Sequence, residues 1–509
     1  MNKFLRSIAA AVLLGACISG AQAQRITYSE TEREDSRRTN FEIIGKIEQN
    51  VLVFKNNRSE NAISVYDNDM KLVSRVNQDY IPDRVINVDF VSYPGHAYMV
   101  YQYQRRNILY CMGVKIGSDG KKIGEPQELD TTQLGFASDN KIYTTLASED
   151  KKRIMVMKIN SKNNKQFVFT TVLLDENLKE LKRDRIYMPM EYRNDFFTDF
   201  YLGNNGDMVF GKFTRTGGND NISKVLIVTK SPATDSFATK ELNLDGKYLD
   251  EIKIKIDNLN NQYLITAFYY KQRRGNIDGL YSAIFDRKSD SVVKSHFTEF
   301  ADQLRIDARG ESNTKMAFND YFIKHMIPKV DGGFLIAAEA EYTSSRGNAF
   351  NRWDFLGYGS PWLSPSDYYY LQRYYGPYGW NSYRYNSSAG TRYHADNILV
   401  LSFDPNGQLE WSNVIPKVQY DDENDFLLSY GMMVTGGKIH FLFNEMERRN
   451  RIMNVHSISP DGQITRLPTL KNLDKGYEFM TKFAKQVGAR QMIIPCFYRN
   501  YICFAKVDF

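Results

Sequence analysis

The chain has 509 residues, of which 42% are hydrophobic, 14% aromatic and 25% charged, so it is long enough to bury a large core. Of its 66 basic residues, Lys3 and Arg6 belong to an N-terminal leader, and the other 64 stand against 60 acidic ones. This small net charge, spread over the whole length, argues against a nucleic-acid partner.

The N-terminus has the layout of a secretory signal peptide. An apolar run, Ile8 to Leu14, follows the two basic residues, and the small residues Ala21-Gln22-Ala23 come next. We therefore predict a signal peptide over residues 1–23. Leu14-Gly15-Ala16-Cys17 also has the form of a lipobox, so Cys17 is an alternative lipidation site.

No later stretch reaches the 18 or so apolar residues that a membrane-spanning helix needs. Any membrane contact is predicted to be peripheral or through a lipid anchor. The predicted location is outside the cytoplasm, in the periplasm or associated with the outer membrane.

Short apolar runs recur along the chain and predict an all-β fold. Examples are Val51 to Phe54, Ala97 to Tyr101 and Ile439 to Phe443, which are separated by Gly-, Asn- and Asp-rich turns. One helix is predicted at Phe297 to Ile306, because Phe297, Phe300, Ala301 and Leu304 follow helical spacing.

A hairpin pattern repeats, with an apolar run followed by an acidic turn. The acidic residues are Asp67, Asp119, Asp175, Asp286, Asp404 and Asp461. Three intervals are 52, 56 and 57 residues, the 111-residue interval is a doubled period with a weaker turn at Ser231 to Thr234, and the 118-residue interval holds the helix and an insertion. This period is typical of four-stranded propeller blades. The alternative is two β domains divided near residues 295–315.

The end of the chain predicts how the ring closes. Val507-Asp508-Phe509 falls where the next acidic turn is due, so the last blade lacks its outer strand. A short strand at Arg25 to Tyr28 is predicted to supply it. We therefore predict a β-propeller of eight blades, or seven, over residues 24–509.

A Tyr-, Gly- and Trp-rich insertion is predicted within the propeller at residues 343–394. Long loops of this kind are usually functional or disordered, and tyrosine and tryptophan suit both protein interfaces and stacking on sugar rings. The alternative is a biased tract without a partner. The candidate binding residues are Trp353, Trp362, Tyr368, Tyr369, Tyr370, Tyr374, Tyr375, Tyr378, Trp380 and Tyr385.

Two cysteines near the C-terminus are predicted to face each other. If Arg499-Asn500 is a two-residue hairpin loop, Cys496 lies opposite Cys503. An oxidising compartment then allows a cross-strand disulfide. Two packed free thiols are the alternative, because the position does not favour disulfide geometry.

No metal site, cofactor or catalytic motif is predicted. The six histidines show no paired ligand spacing, and the acidic run Tyr420 to Asp425 lacks the alternating ligands and turn glycine of a calcium loop. His440 and His456 sit in apolar strands and are interpreted as structural. Propeller enzymes often assemble their sites from scattered residues, so the catalytic residues stay unknown and catalysis is not excluded.

Several segments together resemble a family. The opening Phe41 to Ile47, the Tyr-rich insertion and the run from His394 to Asp404 and on to Trp411 are similar to those of uncharacterised exported propeller-like proteins of Bacteroidota. The resemblance implies a periplasmic or outer-membrane-associated location. It implies no catalytic residues.

Three functional hypotheses follow. The first is a non-enzymatic binding or scaffold propeller of the cell envelope, which engages a protein partner through a ring face and the aromatic insertion. The second is a glycan-binding or glycan-active propeller, which predicts clustered acids at the centre of the ring. The third is a structural lipoprotein anchored through Cys17.

Overall fold

The structure is a computed structural model, and almost all of its regular elements are strands. It describes residues 24–33, 39–57, 60–135, 141–162, 166–189, 195–215, 220–345, 391–422, 425–447, 450–470, 472, 476–499 and 501–509. Within these ranges, no helix has the length and apolar character needed to cross a membrane.

Antiparallel sheets of four main strands follow one another along the chain, and we number them as blades. Two short strands come first, β1 (Arg25–Tyr28) and β2 (Glu32–Arg33). Blade 1 consists of β3 (Thr39–Ile47), β4 (Asn50–Asn57), β5 (Glu60–Tyr66) and β6 (Leu72–Asn77). Blade 2 consists of β7 (Val85–Ser92), β8 (Ala97–Arg105), β9 (Ile108–Ile116) and β10 (Lys122–Gln133). Blade 3 consists of β11 (Thr144–Ala147), β12 (Arg153–Lys162), β13 (Gln166–Asp175) and β14 (Glu180–Pro189).

Blades 4 and 5 share one continuous sheet, because β20 pairs with a strand of each. Blade 4 consists of β15 (Asp195–Phe197), β16 (Tyr201–Leu202), β17 (Met208–Arg215), β18 (Ile222–Lys230) and β19 (Ala238–Glu241). The linking strand is β20 (Tyr248–Leu249), and blade 5 consists of β21 (Lys253–Asp257), β22 (Gln262–Tyr270), β23 (Gly279–Asp286) and β24 (Ser291–Glu299).

A helical connection leads to the last three blades. It contains α1 (Asp302–Arg309) and a 3-10 turn at Thr314–Met316. Blade 6 consists of β25 (Tyr321–Pro328), β26 (Phe334–Ser345), β27 (Thr391–Phe403) and β28 (Leu409–Ile415), with β29 (Tyr420–Asp421) paired to β27. Blade 7 consists of β30 (Tyr430–Thr435), β31 (Lys438–Glu447), β32 (Asn450–Ile458) and β33 (Ile464–Leu470). Blade 8 has β34 (Glu478–Phe479), a 3-10 turn at Thr481–Phe483, β35 (Lys485–Gly488), β36 (Gln491–Tyr498) and β37 (Tyr501–Asp508).

The hydrophobic core shows that the blades form one closed ring. Its buried side chains fall into eight clusters, one between each pair of neighbouring blades. The cluster between blades 8 and 1 packs Phe41 against Phe504, with ring centroids 5.6 Å apart. First strands of neighbouring blades contact each other, as β3 does with both β7 and β35. In a propeller these innermost strands surround the central channel. The prediction of a β-propeller of eight blades, or seven, is confirmed, with eight blades in the described residues.

The N-terminal strand closes the ring as predicted. Strand β1 pairs antiparallel with β37, from Arg25 opposite Asp508 to Tyr28 opposite Ala505, and so becomes the outer strand of blade 8. Just after it, the Glu32 carboxylate lies 2.6 Å from the Lys55 ammonium of blade 1. Burial raises the pKa of Glu32, but Lys55, Tyr66 and Arg75 together outweigh burial and leave that pKa below its usual range.

We expect Glu32→Gln to lower the free energy of unfolding by about 1–3 kcal/mol at neutral pH, because Lys55 is almost fully buried and would lose its carboxylate. A carboxylate whose pKa is lowered on folding stabilises the folded state at pH values above its unfolded pKa. This stabilisation is lost as the pH falls through the folded pKa. The deficit should therefore begin to shrink as the pH falls below 4.5 and vanish only below the lowered pKa of the folded state. Urea unfolding measures it, with the exposed neighbour Glu30→Gln as control. Equal losses for both variants would contradict the role of Glu32 in closure.

The predicted acidic turns join the third and fourth strands of the blades. Asp67, Asp175 and Asp404 each accept, through Oδ1, backbone N–H groups two and four residues further on. A short carboxylate that satisfies two backbone donors favours this tight turn, which explains the repeat. The weaker turn after Lys230 also joins a third strand to a fourth, β18 to β19.

The antiparallel order gives the ring two distinct faces. First–second and third–fourth hairpins lie on one face, which we call the acidic-turn face. Second–third hairpins and connections between blades lie on the other, the insertion face. Strand β26 runs to Ser345 and β27 begins at Thr391. The ends of the predicted insertion thus belong to a hairpin on the insertion face, and residues 346–390 between them lie outside the described residues.

The helix begins later than predicted. Phe297 belongs to β24, where it lies opposite Tyr281 with ring centroids 4.8 Å apart, and α1 starts only at Asp302. The helical spacing from Phe297 was coincidental, because the pairing of β24 with β23 continues to Glu299. Leu304 and Ala308 then face the core between blades 5 and 6.

Buried polar groups fasten neighbouring blades together. In β26, Glu339 is fully buried and forms an ion pair with Lys417, with Nζ and Oε1 2.8 Å apart. Lys417 also donates to the backbone carbonyl of Ala395 at 2.6 Å, and the Ser429 hydroxyl at the entry to blade 7 donates to Glu339. Such groups persist in a β core only because each finds a partner.

Candidate active site in the central channel

An irregularity in the first strand of blade 1 brings three blades together at the channel. The pairing of β3 with β4 shifts between Ile43 and Gly45, which has φ 145°. A bulge of this kind releases backbone carbonyls from the ladder. The Ser92 hydroxyl of blade 2 donates to the carbonyl of Ile44 at 2.5 Å, and Lys485 of blade 8 donates to those of Ile43 and Ile44 at 2.8 and 3.1 Å.

Glu42 lies directly before this bulge and is an unusual carboxyl group. Its side chain keeps partial solvent contact, yet Oε2 is buried and accepts no hydrogen bond within the described chain. Burial raises the pKa of Glu42 to about 7, with Asp89 adding to the effect and the Lys485 and Lys141 cations opposing it. The group can therefore both give and take a proton near neutral pH.

Asp89 is the second carboxylate of this region, on the first strand of blade 2. Its Oδ1 forms an ion pair with the Lys141 ammonium at 2.9 Å, and both side chains are largely buried. The other oxygen, Oδ2, is buried without a hydrogen-bond partner in the described chain. One oxygen of Asp89 is thus held and the other is left unsatisfied.

Lys485 supplies the second cation. Burial lowers its pKa, Glu42 opposes that shift, and Lys151 adds to it. Two of its three N–H donors are engaged by the carbonyls at the bulge, so its position is fixed. We call Glu42, Asp89, Lys141 and Lys485 the Glu42 group.

The chemistry of the Glu42 group is proton transfer beside fixed positive charge. Two carboxyl groups in different environments, one with a raised pKa and one in an ion pair, are a common arrangement for general acid–base catalysis. A metal site is not evident, because the described residues contain no cluster of three His, Cys, Asp or Glu side chains that could hold an ion.

The residues predicted as binding candidates cannot be placed at this site. Those from Trp353 to Tyr385 and the candidate lipidation site Cys17 lie outside the described residues, so their roles stay predictions. At the ends of the predicted insertion, which the structure assigns to strands β26 and β27, Tyr342 stacks on His394 with ring centroids 4.4 Å apart. Arg392 lies over the ring of Tyr420 at 4.5 Å.

The predicted cysteine pairing agrees in register with the structure. Cys496 lies opposite Cys503 in the hairpin of β36 and β37, and both are buried free thiols. Whether they are oxidised to a disulfide stays a prediction.

The acidic run and one of the two histidines interpreted as structural have structural partners. Asp421 forms an ion pair with Arg451 at 2.7 Å, and Asp422 forms one with Arg392 at 2.6 Å. His440 is hydrogen-bonded to Ser457 at 2.6 Å and to Thr435 at 2.9 Å. These contacts hold neighbouring strands together and need no ligand.

Sequence reasoning missed the Glu42 group. Each member is one charged residue on or next to the first strand of a different blade, and no motif links them. The available signal was a charged residue within an otherwise apolar strand, as in Phe41-Glu42-Ile43. That signal identifies a site only when the closed ring brings blades 8, 1, 2 and 3 together.

Eight four-stranded blades around a channel define a β-propeller, here with a charged site in the channel wall. No protein-family model matches the sequence, and no curated protein is similar to it in sequence. Several solved structures are similar in fold at low identity. Polysaccharide lyase Uly1 is 9% identical, with TM-score 0.40, over 95% of this chain and 99% of its own.

Two further neighbours are enzymes of different classes. An ulvan lyase of polysaccharide lyase family 25 is 10% identical, with TM-score 0.37, over 82% of this chain and 90% of its own. Prolyl oligopeptidase B from Galerina marginata is 8% identical, with TM-score 0.40, over 92% of this chain. The chain spans only 56% of the prolyl peptidases that it matches.

Proposed function

We propose that this protein is a glycan-active propeller of the cell envelope that cleaves a glycosidic bond in its central channel. The observation that carries the proposal is a pair of buried carboxylate oxygens on neighbouring first strands, Glu42 Oε2 and Asp89 Oδ2, which have no hydrogen-bond partner among the described residues. Leaving buried polar atoms unpaired costs stability, so a ligand that completes them is the natural explanation. Clustered acids at the ring centre are what the glycan hypothesis predicts.

In hydrolysis, one carboxyl group would act as the general acid and the other as the general base. Protonated Glu42 donates its proton to the glycosidic oxygen as the bond from that oxygen to the anomeric carbon breaks. Asp89 accepts a proton from water, whose oxygen bonds to the anomeric carbon. Glu42 is left as carboxylate and Asp89 as carboxylic acid, and exchange of one proton through channel water restores both.

The envelope location in this proposal comes from the sequence. The predicted signal peptide over residues 1–23 and the resemblance to exported propeller-like proteins of Bacteroidota support it. The scaffold hypothesis depends on the aromatic insertion, and no contact in the described chain favours it over the channel site. A protein partner bound through that insertion stays a separate prediction.

A panel of purified polysaccharides, assayed for new reducing ends, tests the proposed function. We expect cleavage of at least one substrate by the wild type and a loss of about 10²–10⁴-fold in kcat/KM for Glu42→Gln, with substrate binding retained. Because Glu42 must be protonated to act as the acid, kcat/KM should fall as the pH rises above about 7. The exposed substitution Glu176→Gln on an outer hairpin is the control.

Two results would overturn the proposal. One is that the wild type neither binds nor cleaves any glycan of the panel. The other is that glycan is cleaved equally well by the wild type and Glu42→Gln.

A further inference from the structure

The wall of the channel opposite the Glu42 group is basic. Blade 5 lies across the ring from blade 1, and its first strand alternates between lysine and isoleucine. Ile254 and Ile256 of β21 pack into the core shared with blade 4, so Lys253 and Lys255 project to the other side of the strand and are partly exposed.

A neutral histidine adjoins these lysines. His325, on the first strand of blade 6, packs against Tyr430 with ring centroids 5.6 Å apart. Burial lowers the pKa of His325 to about 4, and Lys324, Lys253 and Lys255 contribute to the shift. At neutral pH the ring is therefore a hydrogen-bond donor without charge.

The pairing of the charges singles out one lysine. Lys253 lies 3.0 Å from Glu251, whose other oxygen accepts the N–H of Ile323. Lys324 lies 2.6 Å from Glu341. In contrast, Lys255 has no carboxylate or hydrogen-bond partner in the described part of the chain.

The channel as a whole favours a negative ligand when Glu42 is protonated. Among the described residues of the Glu42 group and of the lysines opposite it, five cations then stand against three carboxylates: Lys141, Lys485, Lys253, Lys255 and Lys324 against Asp89, Glu251 and Glu341. A concave site with low-dielectric walls concentrates the field of such charges. A neutral ligand would gain nothing from this excess of cations.

We infer that the ligand of the channel is an acidic glycan, and that Lys255 with His325 binds the anionic substituent of a sugar ring while Glu42 faces the glycosidic bond. This inference rests on the proposed function and names its substrate class. A uronate carboxylate and a sulfate ester share the required chemistry, since each accepts charge-assisted hydrogen bonds from an ammonium and a ring N–H.

Calorimetric titration of the full chain tests the inference in a Glu42→Gln background, so that binding is measured without turnover. The probes are a tetramer of galacturonate, its neutral methyl ester and a sulfated carrageenan tetrasaccharide. We expect an anionic probe to bind at least tenfold more tightly than the ester, and more weakly as salt rises. Whichever anionic probe binds better identifies the substituent.

Adding Lys255→Gln should weaken binding of the anionic probe about tenfold and leave the ester unchanged. Lys179→Gln, on an outer hairpin away from the channel, is the matched control and should change neither affinity. If the ester binds as tightly as the anionic probes, or if Lys255→Gln has no effect, the inference is wrong while the proposed function stands. If none of the probes binds and the polysaccharide panel also fails, both are wrong.

Discussion

Replacing Lys417 by methionine is expected to lower the free energy of unfolding by about 3–5 kcal/mol, the largest effect of a single substitution outside the channel. Glu339 and Lys417 have no solvent exposure, so the substitution leaves a carboxylate buried without its cation. The Ala395 carbonyl and the Gln419 side chain lose a donor as well. Denaturant unfolding of the full chain measures the loss.

The double variant Lys417→Met with Glu339→Leu separates charge burial from packing. Removing both charges abolishes the desolvation penalty, so the double variant should be more stable than Lys417→Met alone. A loss under 1 kcal/mol for Lys417→Met, or a fully additive double variant, would contradict the assigned role of the pair.

Glu42→Gln is expected to make the protein more stable than the wild type at pH 8 and equally stable only at about pH 4 and below, under the ordinary pKa of 4.5. The pKa of Glu42 is raised from 4.5 to about 7 on folding, so the folded state binds its proton more tightly than the unfolded state. The stability from the protonated group is complete below the unfolded pKa and is lost as the pH rises through the folded one. Glutamine is neutral throughout and avoids that loss.

The expected gain at pH 8 is about 1–3 kcal/mol. It is limited by Lys485 and Lys141, which attract the ionised Glu42 carboxylate and lose that partner in the variant, whereas loss of the repulsion from Asp89 adds to the gain. Melting temperatures between about pH 4 and pH 8 measure the effect, with Glu176→Gln as the exposed control. If the difference in melting temperature between the wild type and Glu42→Gln does not change with pH over this range, the pKa of the carboxyl group is not raised on folding.

The fold was predictable because its signals are local. Asp67, Asp175 and Asp404 satisfy the backbone of their own turns, so their spacing marks one turn in each blade. The apolar strands between the turns have faces that only stacking can bury. The closing strand Arg25 to Tyr28 followed from the missing outer strand of the last blade.

The site was not predictable because its members meet only through closure. Glu42 and Lys485 are far apart in sequence, and the contact of the lysine with the β3 bulge depends on where the last blade meets the first. The raised pKa of Glu42 depends on burial, which no single strand reveals. The aromatic residues that stand out in the sequence lie outside the described residues, whereas the Glu42 group consists of single charges that no pattern marks.

The pairing of β1 with β37 also has a kinetic consequence. The two strands are the most distant in the chain, so blade 8 cannot be completed until nearly all of the polypeptide is available. Contacts of such high sequence separation form slowly, because the entropy of closing the intervening loop must be overcome first. Until then the edge of β37 and the apolar side of β1 stay open to other chains, and aggregation through these two strands competes with folding.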